Sequence, residues 1–244
     1  MTMSRREALG VSGSALAGLS LGALTQVDLR AQAPASAAQT QQPWPDQLVE
    51  RPLREGFPAA LPLMPDGSAP EHEPREAGPI SNPLTWRTAN RQAPEIEFDY
   101  RKMNIKVDTR GLAKLAGTMH FPDLEKLPRV SHTFLLQCGA ANPRGIVKWT
   151  GVRFSEFADM LGLVPGAHYC RLIASDRDYV DESVATLRHP QVMLAWLMND
   201  EPIPPKHGAP LRLIVPFRYG NRSIKAITEI VFATPGLPMP PLPA

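Results

Sequence analysis

The sequence predicts an α+β domain with a mixed sheet and short helices, and three observations lead there. Short β-rich runs and short helical patterns intermix along residues 84–232 without a regular βαβ period. The same stretch holds no internal repeat and no Gly-rich phosphate loop of the dinucleotide kind. Apolar residues make up 43% of the 244 residues and charged ones 20%, enough for a packed core and inconsistent with wholesale disorder.

The chain opens on an address. Arg5-Arg6 are adjacent, an uncharged run of small and apolar residues follows over 8–24, and Ala-x-Ala sequences lie near 31–33. Residues 1–33 therefore read as a cleaved secretory signal of the twin-arginine type. The competing reading, a membrane anchor, is weaker, because Gly and Ser interrupt the run and it is short for a span. No stable membrane span is expected after cleavage. The twin-arginine route carries folded proteins, often with a cofactor in place, which predicts a periplasmic location. Residues 34–83 are rich in Pro, Ala, Gln, Glu and Gly and read as an extended arm that wraps the domain or stays mobile.

The folded domain is expected over 84–234, with a Pro-rich tail at 235–244. Residues 100–107 alternate loosely, as a half-buried strand does. The apolar run 132–137 leads into Cys138-Gly139. Residues 154–161 have helical spacing and end before Gly162. Residues 169–174 read as a strand, and 192–198 as a short helix ending at the turn pair Asn199-Asp200. The β-rich segments 211–215 and 224–232 are joined by a turn at 219–221.

Composition closes off several function classes. The 26 basic and 24 acidic side chains leave a formal charge of +2, too balanced for a dedicated nucleic-acid binder. Two cysteines exclude a disulfide-rich scaffold and a four-Cys zinc site.

Four groups of residues can carry chemistry. Cys138 closes an apolar strand and opens Cys-Gly-Ala-Ala-Asn-Pro-Arg-Gly. A soft thiolate there suits a transition metal, and the small residues let a bulky group come close. Its other readings are a buried small hydrophobe and a disulfide with Cys170, whose own place inside a strand marks it as core. The second group is His207, Arg212, Ser223, Ile224 and Lys225, in which an imidazole, a guanidinium and an ammonium can meet at one rim and bind an anion. Its alternative is solvated loop charge. In the third, Asp176 can accept from ligand amino groups and Tyr179 can donate to an oxo group. The fourth is the pair Trp86-Arg87 ahead of the first strand.

Taken in order, Trp86-Arg87, Leu-Gln-Cys138-Gly, Lys-Trp149-Thr-Gly-Val, Asp176-x-x-Tyr179, Leu-Ala-Trp-Leu-Met-Asn199, His207-Gly-Ala-Pro-Leu-Arg212 and Tyr219-Gly-x-x-Ser-Ile-Lys225 resemble the sulfite oxidase family over residues 84–232. Its members are molybdenum enzymes that carry a molybdopterin cofactor. The resemblance implies that Cys138 is the protein ligand to molybdenum. His207 and Arg212 fall on the family's pterin-binding His and Arg, and Ser223, Ile224 and Lys225 on its cofactor-phosphate segment. Trp86 belongs to the cofactor-binding set. Asp176 falls on a pterin-binding Asp, Arg87 on an anion-binding Arg that also contacts the cofactor, and Tyr179 near an active-site Tyr.

The sequence departs from the family pattern in places. Asn142 stands four residues after the cysteine rather than three, and Thr88 and Ala89 replace the Asn and His that commonly follow the early Arg. There is no haem-attachment Cys-x-x-Cys-His, and no second sandwich domain is expected after Phe232. Size and export signal match single-domain periplasmic members that reduce methionine sulfoxide. The resemblance implies oxygen-atom transfer on a small-molecule oxyanion such as sulfite, with electrons leaving to a separate haem-type partner. Sulfoxide reduction is the alternative within the family, and a metal-free binding domain that kept the fold is the alternative outside it.

Overall fold

A computed structural model describes residues 47–50, 60–80, 86, 88, 91–138 and 144–235. The chain divides into two units, Met1–Pro52 and Leu53–Ala244. In the first, only residues 47–50 are described, and they are exposed. The signal and the tail beyond 235 lie outside the described residues, as does Arg87. No described helix is long and apolar enough to cross a membrane.

The described residues of the second unit form two five-stranded sheets, which is the α+β architecture expected. The mixed sheet runs β2 (Gly117–His120), β1 (Asn104–Asp108), β10 (Ile227–Ala233), β5 (Tyr169–Ala174), β6 (Tyr179–Ser183), with β1 and β10 parallel and the other pairs antiparallel. The antiparallel sheet runs β3 (Arg129–Gln137), β4 (Arg144–Arg153), β7 (Met193–Met198), β8 (Glu201–Pro202), and β9 (Arg212–Ile214) also pairs with β7. Among the described residues three short helices connect them: α1 (Phe121–Glu125), α2 (Phe154–Leu161) and α3 (Val184–Leu187).

Two apolar clusters hold these layers. In the first, Ile105, Leu172, Ile230 and Phe232 of the mixed sheet meet Val152, Leu194, Trp196 and Leu213 of the antiparallel sheet, together with Phe154, Phe157 and Leu161 of α2. In the second, Phe134, Leu136, Val147, Trp149, Met193, Ala195 and Ile214 line the opposite face of the antiparallel sheet. Ala69 and Ile80 cover that face from residues 60–80. This covering segment is pinned at intervals. His72 N–H donates to the Thr133 carbonyl (2.8 Å), Gly78 N–H to Ile146 (2.9 Å), and Asn199 Nδ2 to Gly78 (2.9 Å). The Gln191 amide brackets Ala69, accepting from its N–H at 2.9 Å and donating to its carbonyl at 2.7 Å.

Local chemistry explains most elements. In α2, Phe154, Phe157, Ala158 and Leu161 are buried, the i, i+3, i+4, i+7 stripe of a half-buried helix. Gly162 caps it at φ 67°, where an L side chain is strained. In β5 alternate residues Cys170, Leu172 and Ala174 face the first cluster. Asn199 and Asp200 both have positive φ (52° and 69°), as a two-residue hairpin turn between β7 and β8 requires.

Two expectations are corrected. Residues 192–198 are not a helix: Met193–Met198 is strand β7, buried at every position. Both faces of β7 pack, Leu194 and Trp196 into the first cluster and Met193 and Ala195 into the second, so its apolar run has no period of two. Residues 100–107 are not one strand; a 3-10 turn, Tyr100–Lys102, precedes β1. Segments 211–215 and 224–232 are joined by a turn, the 3-10 turn Gly220–Arg222, and the strands they contain, β9 and β10, go to different sheets.

Candidate functional site

The densest group of chemically capable residues lies where the segment 207–215 runs beside 223–227. Leu213 N–H donates to the Ile224 carbonyl and Ile227 N–H to Leu211, both at 3.0 Å, and Ala226 N–H donates to Gly208 at 2.9 Å. The Ser223 hydroxyl accepts from Val215 N–H at 2.9 Å, so this side chain fixes the crossing of the two segments. Ile224 is buried beneath them. Gly208 has φ 109°, and a Cβ there would fall 2.7 Å from Lys225 Cβ. Glycine is thus required both for the backbone conformation and for the approach of Lys225.

The charges converge here. His207 ends the 3-10 turn Pro205–His207 and is buried. Burial, with the nearby charges of Arg212, Lys206 and Lys225, lowers its pKa to about 4, so the ring is neutral at pH 7. Arg212 opens β9, and its Nη1 donates to the His207 carbonyl at 2.6 Å. Burial lowers its pKa to about 10, and the group stays cationic. Its Nε is buried with no acceptor among the described residues. Lys225 Nζ sits 4.5 Å from the centroid of buried Trp86. Lys225 does not enter the strand, as the sequence suggested, but lies two residues before β10, followed by Ala226 at φ 46°.

Asp176 and Cys138 border this group. Asp176 sits in the β5–β6 turn and accepts from Asp178 N–H at 3.3 Å. The neighbouring Ser175 N–H donates to the Ala226 carbonyl at 3.0 Å, which ties the turn to the Lys225 segment. Cys138 is half-buried and directly follows β3. The β3 terminus meets the 3-10 turn Gly220–Arg222, where a Cβ on Gly220 would lie 3.4 Å from the Gln137 carbonyl oxygen. Residues 139–143 lie outside the described residues. The cysteines are both free rather than bridged. Cys170 is fully buried, and burial followed by the Asp181 charge pushes its thiol pKa well up. No group of three or more His, Cys, Asp or Glu among the described residues is placed to hold a metal ion.

The structure does not bring Tyr179 into the group. It opens β6 at 54% exposure, with the Arg171 guanidinium 4.4 Å from its ring centroid. Alternation in β6 turns Val180 inward and leaves Tyr179 and Asp181 with Arg171 on the outer face. One residue was missed from sequence as part of this site. Trp149 of β4 lies with its ring centroid 5.2 Å from the Arg212 guanidinium carbon. Its place in Lys-Trp-Thr-Gly-Val gave a family signature, but no local signal of a partner on another strand.

Comparisons with known proteins identify the family. The protein-methionine-sulfoxide reductase catalytic subunit of Campylobacter jejuni is 26% identical over 164 residues, 60% of this chain and 55% of that protein. The mitochondrial sulfite oxidase of Drosophila melanogaster is 29% identical over 143 residues, 48% of this chain and 25% of that protein. The chain spans about half the length, or less, of these relatives. The crystal structure of the sulfane dehydrogenase of Paracoccus pantotrophus superposes with a TM-score of 0.52 at 18% identity, over 82% of this chain and 59% of that one, and supports the fold. The profile of the oxidoreductase molybdopterin binding domain matches residues 92–236, a span that holds Cys138, His207, Arg212 and Lys225. With 145 of its 244 residues inside that match, the chain belongs to the molybdopterin-binding oxidoreductase family.

Proposed function

We propose that the chain is an exported, molybdenum-loaded enzyme that transfers an oxygen atom on a sulfur compound. The observation that carries the reading is the buried Arg212 beside His207 and Lys225, with an Nε–H that has no acceptor among the described residues. A buried donor without an acceptor is costly, and a phosphate of an anionic cofactor supplies the missing oxygen. The residues therefore fit molybdopterin. Arg212 and Lys225 would hold its phosphate, neutral His207 and Asp176 would hydrogen-bond its pterin, and the Cys138 thiolate would hold its metal. When bound, the cofactor supplies two-electron oxygen-atom chemistry at that metal.

Sulfoxide reduction is the first reading. A sulfoxide, two electrons and two protons yield a thioether and water. The similarity to the Campylobacter jejuni subunit supports it. Sulfite oxidation, in which sulfite and water give sulfate, two protons and two electrons, is the second reading. It rests on Arg87 and on the likeness to the Drosophila melanogaster enzyme. In either direction the electrons pass singly between this site and a separate haem-type partner, in the periplasm, after export by the twin-arginine signal.

The test is purification from a host that makes the cofactor, followed by metal and pterin analysis and turnover with an artificial electron carrier. Stoichiometric molybdenum with turnover of methionine sulfoxide is expected. Turnover of sulfite alone transfers the conclusion to the second reading. Protein without molybdenum or pterin is instead a binding domain on this fold.

A further inference from the structure

Among the described residues Arg212 is the only buried Lys, Arg, Asp or Glu. No carboxylate pairs with it, and its one hydrogen bond within the described protein is Nη1 to the His207 carbonyl. A guanidinium taken out of water on such terms needs another source of attraction. The face of Trp149 provides one, at 5.2 Å and wholly shielded from solvent, where the attraction of a cation to a ring is strongest.

The sheet explains how the two meet. Arg212 of β9 stands opposite Ala195 of β7, and Ala195 stands opposite Gly151 of β4. Trp149 lies two residues along β4 from Gly151, on the same face. The Arg212 side chain thus crosses the middle strand at a methyl group, beside a glycine, and reaches the indole two strands away. A Cβ on Gly151 would overlap the β7 backbone at Leu194 and Ala195, so glycine there keeps β4 and β7 close enough for this reach.

We propose that Trp149 is a positioning residue for the anion site. Its ring, reached across Ala195, holds the Arg212 guanidinium in the orientation that donates Nη1–H to His207 and keeps Nε–H for an anionic group of the bound cofactor. The cofactor part of this inference rests on the function proposed above. Trp149 itself need not touch the cofactor. Its effect is to fix the direction of a charge-assisted hydrogen bond, which loses strength steeply when misaligned.

The test combines two measurements on the full chain, for wild type, Trp149→Phe, Trp149→Leu, Arg212→Met and the Trp149→Leu/Arg212→Met pair. Urea unfolding of cofactor-free protein reads the contact itself. Trp149→Leu should lower the folding equilibrium about tenfold more in the wild-type background than beside Arg212→Met. Molybdopterin content after production in a cofactor-making host reads the positioning. Trp149→Phe, which keeps a ring face, should retain most of the wild-type content. Trp149→Leu should fall to the level of Arg212→Met, and the double variant no lower. Additive unfolding effects would overturn the contact. Equal cofactor content in the Phe and Leu variants would overturn the positioning, because only the Phe variant keeps a ring face for the guanidinium. Wild type that carries no pterin overturns the cofactor reading and the anion role of the pair with it, whereas loaded wild type with additive unfolding overturns the role of Trp149 alone.

Discussion

Cys138 and Cys170 show how position divides two chemically identical side chains. Cys138 continues the alternation of Phe134 and Leu136, but at the end of β3 and half-buried, where its sulfur is open to a ligand. Cys170 is sealed in the first cluster, and its raised pKa keeps it a neutral thiol. Cys138→Ser should abolish turnover while circular dichroism and melting temperature stay near wild type. Cys170→Ser should keep its cofactor and lose about 1–2 kcal/mol of stability, since a hydroxyl replaces a packed sulfur. A fully active Cys138→Ser protein would remove the thiolate from the proposal. His207 carries a second prediction at this scale. Its folded pKa, about 4, lies below the ordinary histidine value of 6.5. Between these values the unfolded chain binds more protons than the folded one. Its contribution to stability is therefore complete above pH 6.5 and is lost as the pH falls towards 4, by up to about 3 kcal/mol. The urea midpoint should fall across that window in wild type and respond less to pH in His207→Gln. Equal slopes in the two proteins would show that other groups govern the acid response.

The elements were legible where one face of them meets solvent. α2 was readable in full because its apolar stripe has the helical period and Gly162 ends it. β5 alternates and was likewise readable. β7 was misread because two clusters share it, and no polar face is left to reveal a period of two. β4, the longest strand, went unread, since Gly145 and Gly151 break its pattern. Both glycines answer to packing: a Cβ on Gly145 would come 2.7 Å from the Pro79 carbonyl oxygen, and one on Gly151 would overlap the Leu194 carbonyl. The site followed the same logic. His207 and Arg212 stood out because they are close in sequence, whereas Trp149 reaches Arg212 only through the lateral register of three strands. The crossing of segments 207–215 and 223–227 gives a prediction at this scale. Gly208→Ala meets both an unfavourable φ and the Lys225 side chain, and should cost about 1–3 kcal/mol. Its melting temperature and its molybdopterin content should fall together. Unchanged values of both would mean that Lys225 can move aside freely.

At the scale of the whole unit, the antiparallel sheet needs cover on both sides. The mixed sheet protects one face, and residues 60–80 help to cover the other. Nothing in the Pro-rich composition of 34–83 singles out Ala69 and Ile80 as buried, because their contacts are set by the sheet they meet rather than by any period of their own. A chain that starts at residue 81 would expose part of the surface around Phe134, Leu136 and Val147, each side chain worth about 1.5–3 kcal/mol when buried. It should self-associate or bind an apolar dye, and light scattering against the full chain checks this. A monodisperse truncated protein that binds no dye would show the cover to be dispensable.

Strand β7 has a consequence of another kind. It is flanked by β4 on one edge and by β8 and β9 on the other, and it is buried on both faces. Its interior amides have no local opening that reaches water, so deuterium should replace their protons only when the whole unit opens. These amides would then serve as an internal isotope clock for global stability, read under native conditions. Any ligand that binds only the folded state slows the clock by one plus the ratio of its free concentration to its dissociation constant. Comparing β7 amide lifetimes in cofactor-free and cofactor-loaded protein would therefore weigh the cofactor's hold on the fold, through a strand none of whose residues is proposed to touch it.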